Sequence, residues 1–227
     1  MHGVVRVSHL LTRGLLACAV AAGCGNNAGS GPDAAVVGDG SNTSAGLSVH
    51  WATEPGVIPG DAGSDITISS LLFRVANLRV IGDAGPGDTR TSVDSIELAW
   101  SAGMVPAVVS FSDAPTGLYS RVILHAESNL GAYTYEIAGT VKLDNVVTPF
   151  TIHDRSPLAV NFETSAPLDP GASASLLVHV RIARALQSLD FHQLTRVDNV
   201  LVLDTLDNAM HDFHDQMMSN VFESHDD

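Results

Sequence analysis

From Leu47 onward the apolar residues of this chain recur at every second position, in short runs cut apart by glycine and proline. That period decides the fold class, because a spacing of two puts alternate side chains on opposite faces of a strand, whereas a helix buries every third or fourth residue. Leu47, Val49 and Trp51 alternate with Ser48, His50 and Ala52. Ile66 to Ile81 is rich in branched residues and predicts one long strand or two broken ones. Further runs cover Asp94 to Trp100, Val105 to Phe111, Tyr119 to Glu127, Tyr133 to Leu143, Pro149 to His153, Leu158 to Phe162 and Ser175 to Ile182. In Tyr119 to Glu127, the residues Val122, Leu124 and Ala126 share one face and Arg121, His125 and Glu127 the other. Turn residues separate the runs, as in Pro59-Gly60-Asp61, Gly85-Pro86-Gly87-Asp88 and Pro115-Thr116-Gly117. About eight or nine short strands, with no run of helices to cross between parallel neighbours, predict an all-β antiparallel sandwich.

The C-terminal segment changes period. After a last strand at Val200 to Leu203, the stretch Asp204 to Glu223 reads as an amphipathic helix with Met210, Phe213, Met217 and Val221 on one face. Asp204 and Asp207 are the candidate N-caps. The expected organisation is a leader at 1–23, a tether at 24–46, a β-sandwich at 47–205, a helix at 206–223 and a tail at 224–227. The two Gly-Asp-Ala-Gly copies, from Gly60 and from Gly82, read as turn chemistry rather than as a repeat.

The first residues read as a processing signal. Arg6 and Arg13 precede an apolar run, Gly14 to Ala22, that is far shorter than the ~20 residues needed to span a bilayer. The run ends in Ala21-Ala22-Gly23-Cys24. This resembles the lipobox of bacterial lipoproteins, in which small residues precede a cysteine that is lipidated and becomes the new N-terminus. The family usually has Leu three residues before the cysteine, where this chain has Ala21. A second candidate, Leu15-Leu16-Ala17-Cys18, has the Leu but almost no apolar run before it. The resemblance implies lipidation at Cys24 and a place in the bacterial cell envelope. Gly25, where enteric inner-membrane lipoproteins carry Asp, leans toward the outer membrane.

Gly25 to about Gly46 is Gly, Asn, Ser, Ala and Asp with few large apolar residues. Such a stretch buries too little to offset its ordering entropy and is expected to be a disordered tether reaching on the order of 25–28 Å. Cys18 and Cys24 are the only cysteines, so the domain beyond them has neither disulfide nor thiolate nucleophile and is stabilised by its core. The chain carries 11 Lys+Arg against 25 Asp+Glu, a formal charge of −14. Cleavage before Cys24 removes only Arg6 and Arg13 and makes the balance still more acidic, which argues against nucleic acid and anionic headgroups as partners of the protein surface.

One turn carries a second resemblance. Asp113-Ala114-Pro115-Thr116-Gly117-Leu118-Tyr119, leading into an alternating strand, resembles the Pro-x-Gly-x-Tyr turn of prealbumin-like and carboxypeptidase-regulatory-like sandwiches. Pro115 presets the turn, Gly117 relieves its exit and Tyr119 packs at the sandwich end. With Phe150-x-Ile152 and Val160-x-Phe162, the layout is similar to bacterial lipoproteins that carry a tethered sandwich domain. It implies an Ig-like or prealbumin-like fold and a location, and brings no catalytic residues.

Candidate chemistry concentrates in the C-terminal helix. Asp207, His211, His214 and Asp215 stand at offsets of three and four, which bring them onto adjoining helix surface where imidazole and carboxylate would suit Zn²⁺ or Cu²⁺. His214 also falls inside the apolar stripe, where a buried histidine with a hydrogen-bond partner is the plainer expectation. Asp61, Asp65, Asp83 and Asp88 sit in Gly-rich connections and form a looser Ca²⁺ hypothesis, set against the turn preference of Asp itself. His50, His125, His153 and His179 fall on the polar phase of their strands. No Gly-x-Ser-x-Gly elbow follows a strand, and phosphate-loop and dinucleotide signatures are missing, so the expectation is not an enzyme. Two readings result: a tethered module that binds an envelope protein or glycan, and a metal-handling lipoprotein using the acidic, His-containing C-terminus.

Overall fold

The computed structural model describes residues 36–38, 46–83, 89–128 and 132–225. Cys18, Cys24, the leader, most of the tether and Asp88 lie outside them. The strands of the first half are β1 (Val36–Gly38), β2 (Gly46–Thr53), β3 (Gly60–Gly63), β4 (Ile66–Gly82), β5 (Thr89–Val93), β6 (Ile96–Trp100) and β7 (Val108–Phe111). There follow β8 (Gly117–Ala126), β9 (Tyr135–Leu143), β10 (Val146–Asp154), β11 (Leu158–Leu168) and β12 (Ser173–Val180). The C-terminal part contains α1 (Ile182–Gln187), a 3₁₀ turn at Phe191–Gln193, β13 (Thr195–Val197), β14 (Val200–Asp204), α2 (Asn208–Asn220) and β15 (Phe222–His225).

These strands make two sheets around one core, a mostly β, sandwich-like arrangement. The smaller sheet has the order β1-β7-β2-β12-β15. The larger is built on β4, whose 17 residues form a spine. Along one edge of β4 run β9 and then β8, and along the other β3, β6 and β5. The chain then doubles back, pairing β10 with β9 and β11 with β8. Alternation sets the core: Ile66, Ile68, Leu71, Phe73, Val75, Leu78 and Val80 of β4 are buried, as are Val122, Leu124 and Ala126 of β8. Phe73 of the large sheet meets Phe222 of the small one edge-on at 5.2 Å.

The turns follow residue chemistry. Ser64-Asp65, Asp144-Asn145 and Asp198-Asn199 each have two consecutive positive φ angles, the backbone of tight two-residue hairpins that Asp and Asn tolerate. At the Pro115 turn, Gly117 has φ +143° and the buried Tyr119 hydroxyl donates to the Pro115 carbonyl at 2.7 Å.

Four expectations are corrected. The pairing is not purely antiparallel, since β2–β12 and β10–β14 are parallel. A parallel neighbour needs a crossover, and the segment with α1 and the 3₁₀ turn supplies one before β14. That helix also ends the run Ser175 to Ile182 early, at Val180, because Ile182, Ala183, Ala185 and Leu186 bury one side of a short helix. Within the expected tether, Val36–Gly38 is β1, paired with β7, in keeping with the strand preference of its two valines. The helix stops at Asn220, and Phe222–His225, partly expected as tail, forms β15 against β12.

Candidate functional site

The polar heart of the molecule lies where the large sheet turns a corner. The described residues 127–128 and 132–134, between β8 and β9, lie outside the ladder, as do residues 155–157 between β10 and β11. At this corner Phe150, Ile152 and Asp154 occupy the same inward phase of β10, and Asp154 stands directly across from Tyr135 of β9. Asp154 has no exposed surface. A carboxylate there must be met by donors or neutralised.

The donors come from α2 and from the β10–β11 corner. His214 of α2 places Nδ1 2.6 Å from Asp154 Oδ2. The Ser156 amide donates to Oδ1 at 2.9 Å, and the Tyr135 phenol is electrostatically coupled to the carboxylate while its hydroxyl donates to Met210 Sδ at 3.6 Å. Burial alone raises the Asp154 carboxyl, but these hydrogen bonds outweigh it and hold the group at about 2. Burial first, and then the Asp154 charge, push the Tyr135 phenol far above its ordinary value. Tyr135 is therefore a neutral phenol, and its ring lies against His214 and Phe213. Thr134, also buried, donates its amide to the Asp154 carbonyl at 2.6 Å and accepts from the Arg74 amide at 2.9 Å.

An outer layer braces the corner. Arg74 Nη1 donates to the Tyr133 carbonyl at 2.6 Å and to Glu136 Oε1 at 2.7 Å. The Tyr133 ring stacks on His153 at 4.5 Å, and the Arg155 guanidinium lies 4.6 Å from its centre. The Arg155 amide donates to Thr205 Oγ1 at 2.9 Å, which ties the corner to the start of the helical segment.

No protein-family model, curated protein or solved structure matches this chain. The corner has to be read from its own chemistry.

The four residues expected to share a metal do not converge. His214 faces inward, with its side chain 13% exposed, and its Nδ1 is engaged by Asp154. His211 faces out at 83% exposure, with Asp215 Oδ2 4.0 Å from its Nε2. Asp207 occupies the N-cap position of α2, but its carboxylate turns back to accept from the Asp204 amide at 2.8 Å. Among the described residues, no group of three or more His, Cys, Asp or Glu is placed to hold a metal. The reason is geometric: the helix face that packs on the sheet carries His214 inward, and His211 and Asp215 lie off that face.

The described loop aspartates take part in turns through the Asp61 carboxylate and the backbones of Asp65 and Asp83. Asp61 accepts from the Gly63 amide at 2.7 Å, Asp65 sits at positive φ in a hairpin turn, and the Asp83 amide donates to the Leu118 carbonyl. Of the strand histidines, His50 bonds Ser48, His125 lies near Glu127, and His153 stacks on Tyr133.

An Asp–His pair of this geometry can fix an imidazole tautomer and stabilise the imidazolium, as in acid–base dyads. Chemistry would need a substrate cavity at the other ring nitrogen. A cleft of about 250 Å³ lies elsewhere, between the 3₁₀ turn and the tip of the large sheet, with Leu143, Phe191, Leu194 and Leu201 in its walls. At the corner, Met210 and Phe213 close the space instead. The arrangement is suited to holding α2 on the sheet.

Asp154 was legible in principle. Phe150, Ile152 and Asp154 follow one another at a period of two, and a carboxylate on an apolar phase demands a buried partner. Which residue that partner is depends on strand order and helix docking, neither of which alternation encodes.

Proposed function

We propose that this chain is a lipid-anchored bacterial envelope protein in which a non-enzymatic, Ig-like or prealbumin-like β-sandwich acts as a binding module held off the membrane. The observation that carries this reading is the leader: Arg6 and Arg13, a short apolar run and Ala21-Ala22-Gly23-Cys24, followed by Gly/Asn/Ser/Asp-rich sequence. The Tyr119–Pro115 hydrogen bond supports the sandwich assignment, since a tyrosine bonded to the backbone just upstream recurs at the ends of such folds. The non-enzymatic part rests on the enclosure of Asp154 and Tyr135, the main polar cluster of the domain, beneath α2.

The test is metabolic labelling of the full chain with a palmitate analogue in a bacterial host. The native chain and Cys18→Ser should be labelled and sediment with membranes, and Cys24→Ser should be neither. Labelling that survives Cys24→Ser, or never appears, contradicts the proposal.

A further inference from the structure

The tip of the large sheet, where the β9–β10 and β13–β14 hairpins end, combines apolar exposure, a cleft and an open strand edge. Val146, Val147 and Val197 are 61%, 66% and 51% exposed there. Register gives the tip two faces. Leu201 stands across from Arg196 and beside Phe150, so these share the cleft face with Val146, whereas Val147, Val197 and Val200 belong to the other. The cleft also receives His192 and Asp144. β13 ends the described order of the sheet. In a tight two-residue hairpin the closing pair is Val197 with Val200, so the ladder turns the Arg196 N–H and C=O to the open side.

The tip also lies far from the side on which the N-terminal segment joins the sheets. β1 enters beside Ser110, next to the turn that leads into β8 near Gly82, whereas Ile66 at the other end of β4 pairs near the tip. The 17 residues between correspond to on the order of 55 Å along the strand.

We propose that this tip docks an extended segment of a partner protein, which adds a strand to β13 and sets a carboxylate against Arg196. Apolar side chains of that segment lie in the cleft on one face and over Val147 and Val197 on the other, the pattern by which strand addition obtains specificity. This rests on the binding-module reading and names its surface. Charge selects the occupant. Two copies of this chain would each bring a formal −14, and twofold pairing about the middle of β13 would set Arg196 against Arg196. A carboxylate on the added strand complements Arg196 and His192, which line the cleft beside Asp144, while Lys142, the only lysine of the chain, stands across from Val147 on the other face. A cleft of about 250 Å³ is smaller than the ~300–1,000 Å³ of small-molecule pockets and suits side-chain anchors.

The test places a photocrosslinking residue at Val146, at Val197 or, at the opposite end of the sheet, at Leu118 of the full chain in a bacterial host. The tip positions should crosslink to a protein segment that contains Asp or Glu. A synthetic peptide of that segment should bind the full chain and lose about tenfold in affinity with Arg196→Glu or Arg196→Gln at an unchanged melting temperature. Tip adducts to lipid or to a second copy overturn the proposal, as does a peptide indifferent to both Arg196 variants. Protein adducts from Leu118 alone overturn the tip assignment and leave the binding reading standing. No protein adduct from any position overturns both.

Discussion

At the scale of single residues, a carboxylate without exposed surface depends on its donors, and Asp154 draws them from α2 and from the β10–β11 corner. Its folded pKa of about 2 lies below the ordinary 3.8, so its contribution is complete above about pH 4 and is lost as pH falls through about 2. The difference corresponds to about 2 kcal/mol. Urea titrations at pH 5 and pH 2.5 should show about two-thirds of that loss in the native chain, and a shallower acid slope in Asp154→Asn. Asp154→Ala, which strands His214, should cost about 3–5 kcal/mol in the same titration at pH 7. Tyr119→Phe removes the hydrogen bond to Pro115 and should cost about 1 kcal/mol. His211, exposed on the helix, should tolerate alanine to within about 0.5 kcal/mol.

At the scale of elements, α2 is held by Met210, Phe213, Met217 and the following Val221, all buried, with His214 as the polar contact at the sheet corner. Phe213→Ala should therefore cost about 3–5 kcal/mol, read from chemical denaturation. Gly139 lies where β9 crosses β4 and β10: a Cβ there would meet the Thr67 carbonyl and come within 2.8 Å of the Phe150 ring. Gly139→Ala should destabilise by about 1–3 kcal/mol, as overpacking does. The strands on which these contacts sit were legible because alternation is a local signal, but the bulges that shift the buried phase of β4 between Ile68 and Leu71 and again between Val75 and Leu78 were not. α1 was not, because Ile182 to Leu186 is a short apolar run whose period is ambiguous until its neighbours are known. The parallel pairings of β2 with β12 and β10 with β14 were not legible either, since sheet order is set by contacts between residues far apart in sequence. That His211 and His214 point apart was not legible for the same reason. Helical offsets show which side chains share a helix surface, and only the docked helix shows that His214 faces Asp154.

For the whole molecule, these contacts describe a domain whose buried ionisable cluster serves cohesion. Function, on the proposed reading, is left to the anchor at one end of the chain and to the exposed tip of the large sheet. The two sheets share one hydrophobic core, and the C-terminal elements complete both, since β15 extends the small sheet while α2 covers the corner of the large one. Loss of the Asp154–His214 contact should therefore lower the stability of the domain as a unit rather than fray its end. The most direct measurement is a set of thermal melts of the full chain at pH 7, with EDTA and then with Zn²⁺, Cu²⁺ or Ca²⁺ added singly. The native protein, His211→Ala, His214→Ala and the double variant would be compared. The structural role of His214 predicts melting temperatures that no ion changes, no effect of His211→Ala, and a single cooperative transition lowered by about 5–10 °C in His214→Ala with or without metal. A rise of several degrees with Zn²⁺ or Cu²⁺ that the double variant abolishes would contradict the account, because it would show a native-state ligand held by the residues assigned here to the fold.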